Sequence, residues 1–598
     1  MKPNPLHPAN TQAPLFALGI LVFAAMAVLG WLKLPLGFNF TDDGLHMTDA
    51  WRLAMGDTLF PDSFPSVMRL CVLFNAAVFK LNPDITLLGF RQLQYGLTLL
   101  STAALGWAVF RWSRSYWHLP WVLSLFAFTG LDVVGKGTNL SYHNYVHLFV
   151  TWHVTFLLLA LGSRHRRYRP LFLIGAGLSL VGIGMGMLPM SLASVCPVVL
   201  WLVARRLDPG QEVFTLRDLT WVVAPVAIVW IGLVAAFHPD LLRAVGDMAG
   251  YYAEGGKSRW HIHFLAIGFC ATTGLATGLA AMTLRLPRAG MIAACAALSA
   301  GLFAVMKTNL FGALDHYWRG WFDAPMWMST LLIVFLVTAT VWCLYRMWRP
   351  AGLDREQWLI LILLLPGAVV VPLFGHFSEM GMLSPNFVAI PVLLGGATLV
   401  PRHLNTRHLT RSLQALLLVL LLFPFYYQTA QADWRFTYFD MVPERLNRTV
   451  AEGFAAGIRT NFLYDEMIRW VADRAQRYST PEDRIIAFEG TPMVHMITGR
   501  LPALNHSWLG LARSVALRSD AIRLMESQGR APRLAFFFVT PPLLLPVSLE
   551  DGTFMPDRSR NGLHPTDPVH RYVARHMQRV DVFQAKGKTW VELYVRRE

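Results

Sequence analysis

The sequence predicts a polytopic α-helical membrane protein that carries a soluble α/β domain at its C-terminal end. Three observations predict it. Hydrophobic residues make up 54% of the 598 positions and charged residues only 15%, where a soluble domain carries about 25% charge. The apolar residues fall in runs of about 20, the length an α-helix needs to cross the hydrocarbon of a bilayer. From residue 429 onward the character changes: charge rises, and the runs shorten to strand and helix length.

The membrane part, residues 1–428, divides into about thirteen candidate helices on hydropathy. They begin near Pro14, Leu87, Pro120, Asn144, Leu171, Met190, Leu216, Ile262, Gly290, Pro325, Gln357, Pro385 and Leu413. The N-terminal run has a span-length apolar core and no small-residue cleavage site, so it reads as a first membrane helix rather than a removed signal. The fifth and sixth helices join through the glycine-rich GIGMGMLPM around Gly186, and the polar LDVVGKGTNLSYHN separates the third from the fourth. The 21 tryptophans suit interfacial belts. Basic residues collect in alternate loops: Arg111 and Arg114, Arg164 to Arg169, Arg205 and Arg206, Arg285 and Arg288, Arg346 and Arg349, and Arg402 to Arg411. That side is expected to be cytoplasmic, which puts the N-terminus inside and everything after Tyr427 outside.

The net charge of +15 does not indicate nucleic acid, because the basic residues sit between apolar runs and form no single patch. Of the five cysteines, Cys71, Cys196, Cys270, Cys295 and Cys343, none lies in the C-terminal domain, so no disulfide framework is expected there. In that domain, residues 429–598, RIIAFEG (484–490) and LAFFFVT (534–540) read as buried strands. VDVFQAKGKTWVELYV reads as a hairpin turning at Lys586-Gly587. Residues 465–478 and 509–527 have helical periodicity, and strands alternating with helices predict a small α/β layer domain. It contains no Gly-rich phosphate loop, nucleophile elbow or metal spacing, and is expected to cover a site or help select an acceptor.

Chemistry is expected in the first outer loop, residues 33–86. It is far longer than a return crossing needs, and it holds Asp42, Asp43, Asp49, Asp57 and Asp62. Residues from Gly44 to Met55 are expected to form an interfacial helix, with Leu45, Trp51 and Met55 on its apolar face and Asp42 and Asp43 at its start. The plain reading of the two acids is helix capping. The sharper one is a general base at the membrane surface, within hydrogen-bond reach of an acceptor hydroxyl. Two adjacent carboxylates can also hold a divalent cation.

The phrase TDDGLHMTDAWRLAMGDTLFPDSFP resembles the first-loop pattern of bacterial GT-C membrane glycosyltransferases: an acid pair, a helix ending in glycine, then a Pro- and Phe-containing stretch. NLSYHNYVHLFVTWHVTFLLLAL, followed by basic SRHRRYR, is similar to the superfamily's fourth-helix region, where a Tyr-Asn pair opens an apolar span. Tyr142 and His143 stand at that opening. The resemblance implies transfer of a sugar from a polyprenyl-phosphate or polyprenyl-diphosphate donor to a glycan, lipid or protein acceptor. The place implied is the periplasmic face of a bacterial inner membrane, with Asp42 or Asp43 as base. It leaves a divalent cation, Mg or Mn, open as cofactor, and implies membrane lipids as partners.

A phosphate leaving group needs cations where charge develops. Candidates outside the membrane are Lys136, Lys257, Arg259, Lys307 and Arg319, with Arg69 and Arg91 nearer the first loop. Asp132 beside Lys136, His316 beside Arg319, and His376 with Glu379 complete the candidate substrate contacts. The bland reading of each is a solvated loop residue or part of an aromatic interface belt. His376 and Glu379 lack the further ligands a metal site needs. Asp132, Glu254, Asp315 and Glu379 compete for the superfamily's second acidic position. The alternatives are a transporter or flippase of lipid-linked sugars, and a lipid-linked glycan polymerase or ligase. The first usually shows repeated halves and midplane charges, which are not seen here. The second usually lacks the first-loop acidic helix.

Overall fold

The computed structural model describes residues 12–58, 70–113, 141–162, 167–207, 213–238, 445–488, 490–507, 515–539 and 567–598, with a few isolated positions besides. The chain opens with α1 (Gln12–Lys33), α2 (Asp42–Ala54), α3 (Val72–Leu81), α4 (Leu87–Ser113), α5 (Tyr142–Gly162) and α6 (Arg169–Gly186). A 3-10 turn (Leu188–Val195) follows, then α7 (Cys196–Leu207) and α8 (Leu216–Phe237). Five stretches among the described residues are helices long and apolar enough to cross a membrane: Leu87–Trp112, Asn144–Gly162, Arg169–Gly186, Leu188–Arg206 and Leu216–Phe237. At about 1.5 Å of rise per residue they match a hydrocarbon core of about 30 Å. The starts expected at Leu87, Asn144, Leu171, Met190 and Leu216 lie within a few residues of those observed. The starts near Pro120, Ile262, Gly290, Pro325, Pro385 and Leu413 lie outside the described residues, and around Gln357 only scattered helical positions are described.

The break at Gly186 has a local cause. Met187 is extended (φ −151°, ψ 115°) and Pro189 opens the next turn, and a proline is tolerated there because the first helical N–H groups have no partner to lose. At the opposite end of these helices the basic residues gather. Arg169 opens α6 and donates from Nε to Asp218 Oδ1 of α8 at 2.9 Å, and from Nη2 to the Val213 carbonyl at 2.8 Å. Arg111 closes α4, and Arg205 and Arg206 close α7.

The C-terminal part contains β1 (Arg448–Thr449), β2 (Arg459–Thr460), α9 (Phe462–Tyr478), β3 (Ile485–Ala487), α10 (Met493–Thr498), α11 (Val515–Ser527), β4 (Leu534–Phe538), α12 (Pro568–His576), β5 (Met577–Ala585) and β6 (Lys588–Arg596). Four strands form one sheet in the order β3-β4-β6-β5. β3 and β4 run parallel, and the other pairs are antiparallel. β4 is apolar throughout because both faces are covered. Leu534, Phe536 and Phe538 share a core with Met467, Val471 and Ala475 of α9. Ala535 and Phe537 share another with Met525 of α11 and Val573 of α12. The hairpin turns at Lys586 and Gly587, both at positive φ (48° and 72°), as a two-residue turn between right-twisted strands requires. The expected strands and hairpin are therefore present. The short helices α3, α10 and α12 were not expected from periodicity, being ten residues or fewer.

The first-loop helix is the main correction. α2 is not an interfacial helix with one face in lipid. Leu45 is buried, Trp51 is half-buried and only Met55, past the last turn, is exposed. The cause is the C-terminal part, which packs over α2. The Phe40 carbonyl accepts from the Met493 N–H at 3.1 Å, and Thr48 Oγ1 donates to the Pro492 carbonyl at 2.9 Å. Ser507 Oγ donates to Asp49 Oδ1 at 2.6 Å. A Cβ on Gly44 would lie 2.2 Å from the Met493 backbone nitrogen, so only glycine lets the backbones approach this closely. Phe40 meets Tyr464 and Phe538 edge-on or tilted, at 5.2 and 5.6 Å between centroids.

Asp57, just beyond α2, fastens the same contact. Its carboxylate accepts from Arg52 Nε at 2.9 Å and from Arg484 Nη2 at 2.8 Å, and Arg530 stands 3.7 Å away. Burial pushes the Asp57 carboxyl up, but the hydrogen bonds and charges of Arg484 and Arg52 outweigh it and hold the group below the usual carboxylate range.

Two outcomes follow from this packing. Gly44→Ala should destabilise the protein by about 2 kcal/mol through overpacking. Gly232→Ala in α8, where an added Cβ meets nothing within 4 Å, should not, and thermal melts in detergent compare the two. Asp57→Asn should cost on the order of 3 kcal/mol at neutral pH, as removal of one partner from a buried pair does. A depressed carboxylate stabilises the fold above its unfolded pKa and ceases to as pH falls through its folded value. The gap between wild type and Asp57→Asn in melts against pH should therefore be constant near neutrality and close below about pH 4.

Candidate active site

The site is built at the first turn of α2. Its N-cap is Thr41, whose hydroxyl donates to Asn39 Oδ1 at 2.6 Å and makes no cap bond to the helix. The cap position is therefore not an aspartate, and Asp42 and Asp43 occupy the first turn, where the helix dipole favours negative charge. Asp43 is fully buried, and its Oδ2 lies 3.3 Å from Nη2 of Arg91, which is fully buried too. Arg91 comes from the second turn of α4. Its Nη1 donates to the carbonyls of Leu34, Leu36 and Gly37 at 3.0, 3.3 and 3.0 Å. One guanidinium thus joins the exit of α1, the entry of α2 and the entry of α4.

Its planar fork suits this task, since it presents several donors in fixed directions to carbonyl and carboxylate oxygens. It also supplies the opposite charge that a carboxylate withdrawn from water requires. One turn beyond Asp43, His46 is buried with its ring centroid 5.5 Å from that of Tyr142, at the start of α5. Under α2, burial first and the charge of Arg52 next push His495 down to about 3, against the opposing hydrogen bond with the Arg500 carbonyl. His495 is therefore a neutral donor or acceptor at physiological pH.

Of the residues expected to act, Asp43, Arg91 and Tyr142 come together around α2. Asp42 and His143 hold helix positions at the starts of α2 and α5, and their side chains lie outside the described residues. Asp132, Lys136, Lys257, Arg259, Lys307, His316, Arg319, His376 and Glu379 also lie outside them. His46 was missed. Its signal was spacing alone: it stands three residues after Asp43 and four after Asp42, which places all three on neighbouring positions of one helix. Ser507 was missed too, because its contact with Asp49 joins residues 458 apart in sequence. Among the described residues no group of three or more His, Cys, Asp or Glu gathers as metal ligands.

No family model matches the chain, and no curated protein does. Among solved structures it is similar to the Archaeoglobus fulgidus oligosaccharyltransferase in complex with Zn and sulfate, at 11% identity and a TM-score of 0.45, over 87% of this chain and 68% of that one. It is also similar to ArnT from Cupriavidus metallidurans bound to undecaprenyl phosphate, at 13% identity and a TM-score of 0.37, over 96% of this chain and 97% of that one. Likeness at this level assigns no residue a role.

Proposed function

We propose that this protein is a membrane glycosyltransferase that moves a sugar from a polyprenyl-phosphate-linked donor to an acceptor hydroxyl or amide. In this reading the reaction takes place at the membrane face where α1 ends, which the charge of the loops makes the periplasmic one. The observation that carries the reading is the first turn of α2. An acidic pair lies at the outer ends of the spans and beneath the C-terminal part, with Asp43 sealed from water against Arg91. An aspartate serving only to complement the start of a surface helix has no need of burial or of a dedicated cation, and Asp43 has both.

The two acids then divide the work. Asp43 positions the turn through Arg91. Asp42 is the general base and takes the proton from the acceptor as its heteroatom bonds to the anomeric carbon. The bond from that carbon to the phosphate oxygen breaks, and the polyprenyl phosphate leaves with the electron pair. Its growing charge calls for cations, and Lys136, Lys257, Arg259, Lys307 and Arg319 remain the candidates for that role. Asp132, Tyr142, His143, His316, His376 and Glu379 remain candidates for contact with sugar or acceptor. Arg91 is not among the phosphate ligands, because its donors are directed at carbonyls and Asp43.

Three buried polar residues of the described spans give a transport path no support. Thr98 Oγ1 donates to the Gln94 carbonyl, Thr151 Oγ1 to the His147 carbonyl, and His153 Nδ1 lies 2.8 Å from the Ala176 carbonyl. These side chains are bonded to helix backbone.

The test is transfer of radiolabelled sugar from a polyprenyl-phosphate donor by the full chain in proteoliposomes. Asp42→Asn should lower turnover by about 10²–10⁴-fold, the weight of a general base, with an unchanged melting midpoint. Asp43→Asn should lower the midpoint by leaving Arg91 buried without its carboxylate. Full activity of Asp42→Asn removes the base assignment. A reporter fused after Thr58 that registers the cytoplasm overturns the reading of the face.

A further inference from the structure

We infer that the β1–β2 hairpin and the start of α9 seat the C-terminal part on the lipid surface, with Phe462 in the interfacial layer and Arg448 against lipid phosphate. This goes beyond the glycosyltransferase reading and does not rest on it.

The level of the hairpin relative to the bilayer follows from its bonds to the exit of the apolar helix α1 and to the entry of the span α4. Arg459 of β2 bridges the exit of α1: its N–H donates to the Pro35 carbonyl at 2.6 Å, and its carbonyl accepts from the Gly37 N–H at 2.8 Å. The loop between β1 and β2 holds the entry of α4. The Phe454 carbonyl accepts from the Leu87 N–H at 2.8 Å, and the Phe454 ring lies 6.3 and 6.5 Å from those of Phe79 and Phe90. The membrane-length apolar stretch of α4 begins here at Leu87, which sets the hairpin at the membrane boundary.

Large apolar side chains are exposed at this level. Trp31 and Leu32 end α1, Leu81 ends α3 at 87% exposure, and Phe462 opens α9 at 54%. Scattered apolar residues on a soluble surface need no explanation. These are grouped by the bonds just described, and tryptophan at a span end is an interfacial residue. Phe462 carries a cation with it: the Arg448 guanidinium lies 5.1 Å from its ring centroid. An arginine stacked on an aromatic keeps donors at its rim for an anion. Over residues 445–460 the exposed charges are Arg445, Arg448 and Arg459 against Glu452 alone, which suits an anionic headgroup layer. The anchor would hold the roof over α2 at a fixed height above the bilayer.

The test is photocrosslinking of the full chain in nanodiscs of phosphatidylcholine with and without phosphatidylglycerol. Benzoylphenylalanine would replace Trp31, Phe462 or Val580, the last on the outer strand β5. Lipid adducts should form at 31 and 462 and be scarce at 580. Arg448→Gln should reduce the yield at 462 about fivefold in phosphatidylglycerol discs, the factor equivalent to about 1 kcal/mol for one basic side chain at an anionic surface. It should change little in phosphatidylcholine alone. Adducts at 31 with none at 462, or equal yields at 462 and 580, overturn the anchor. A yield at 462 indifferent to both headgroup and Arg448 overturns the phosphate contact.

Discussion

The structure depends on a buried charge being answered. Asp43 and Arg91 are both withdrawn from water, and each alone would carry a desolvation cost of several kcal/mol. Their contact at 3.3 Å is longer than a tight charge-assisted bond, so Coulomb attraction alone does not complete the account. The remainder comes from backbone. Three carbonyls of the segment after α1, those of Leu34, Leu36 and Gly37, converge on Arg91 Nη1, and buried backbone oxygens require such partners. The chain turns from a membrane helix into an acidic helix at this point because one side chain of a neighbouring span satisfies both ends of the turn.

That pair also explains why α2 is enclosed. α2 packs Met47 and Ala50 into the core, but Asp43, His46, Thr48, Asp49 and Arg52 are buried as well and need polar partners. Its enclosure is polar and specific: Ser507 on Asp49, the Pro492 carbonyl on Thr48, and Arg484 with Arg52 on Asp57. Breaking one such contact leaves an unmet buried group, which costs more than the intact bond contributes. The interface therefore tolerates little sliding. Gly44 sharpens this, because contact at backbone distance with Met493 leaves no side chain to adjust.

Much of this was legible in the sequence, and the reasons are physical. Span starts at Leu87, Asn144 and Leu216 could be read because lipid demands unbroken apolar helices and satisfied backbone. The strands around Phe536 and the turn at Lys586-Gly587 could be read because strand burial and positive φ each leave a compositional mark. The acid pair was legible as the opening of a helix, but its environment was not. The interfacial reading of α2 assumed that polar residues face water, whereas Asp49 and Arg52 face partners more than 400 residues away or across a turn. Hydropathy carries no information about a partner supplied by another part of the chain. His46 escaped for the same reason: a histidine among charged residues has no signature until Tyr142 is beside it.

The geometry finally bears on why two adjacent acids are present at all. Neighbouring residues of a helix point about 100° apart, so one site cannot use both carboxylates alike. Asp43 is turned into the protein against Arg91, and that contact takes up one of the two directions. A base needs a fixed position more than it needs strength, because proton transfer is efficient only within hydrogen-bond reach of the acceptor. Here one acid anchors the turn through α1 and α4, and the backbone of the next shares that rigid turn. The pair is then a single device, with the structural role of Asp43 as the condition for the chemical role proposed for Asp42.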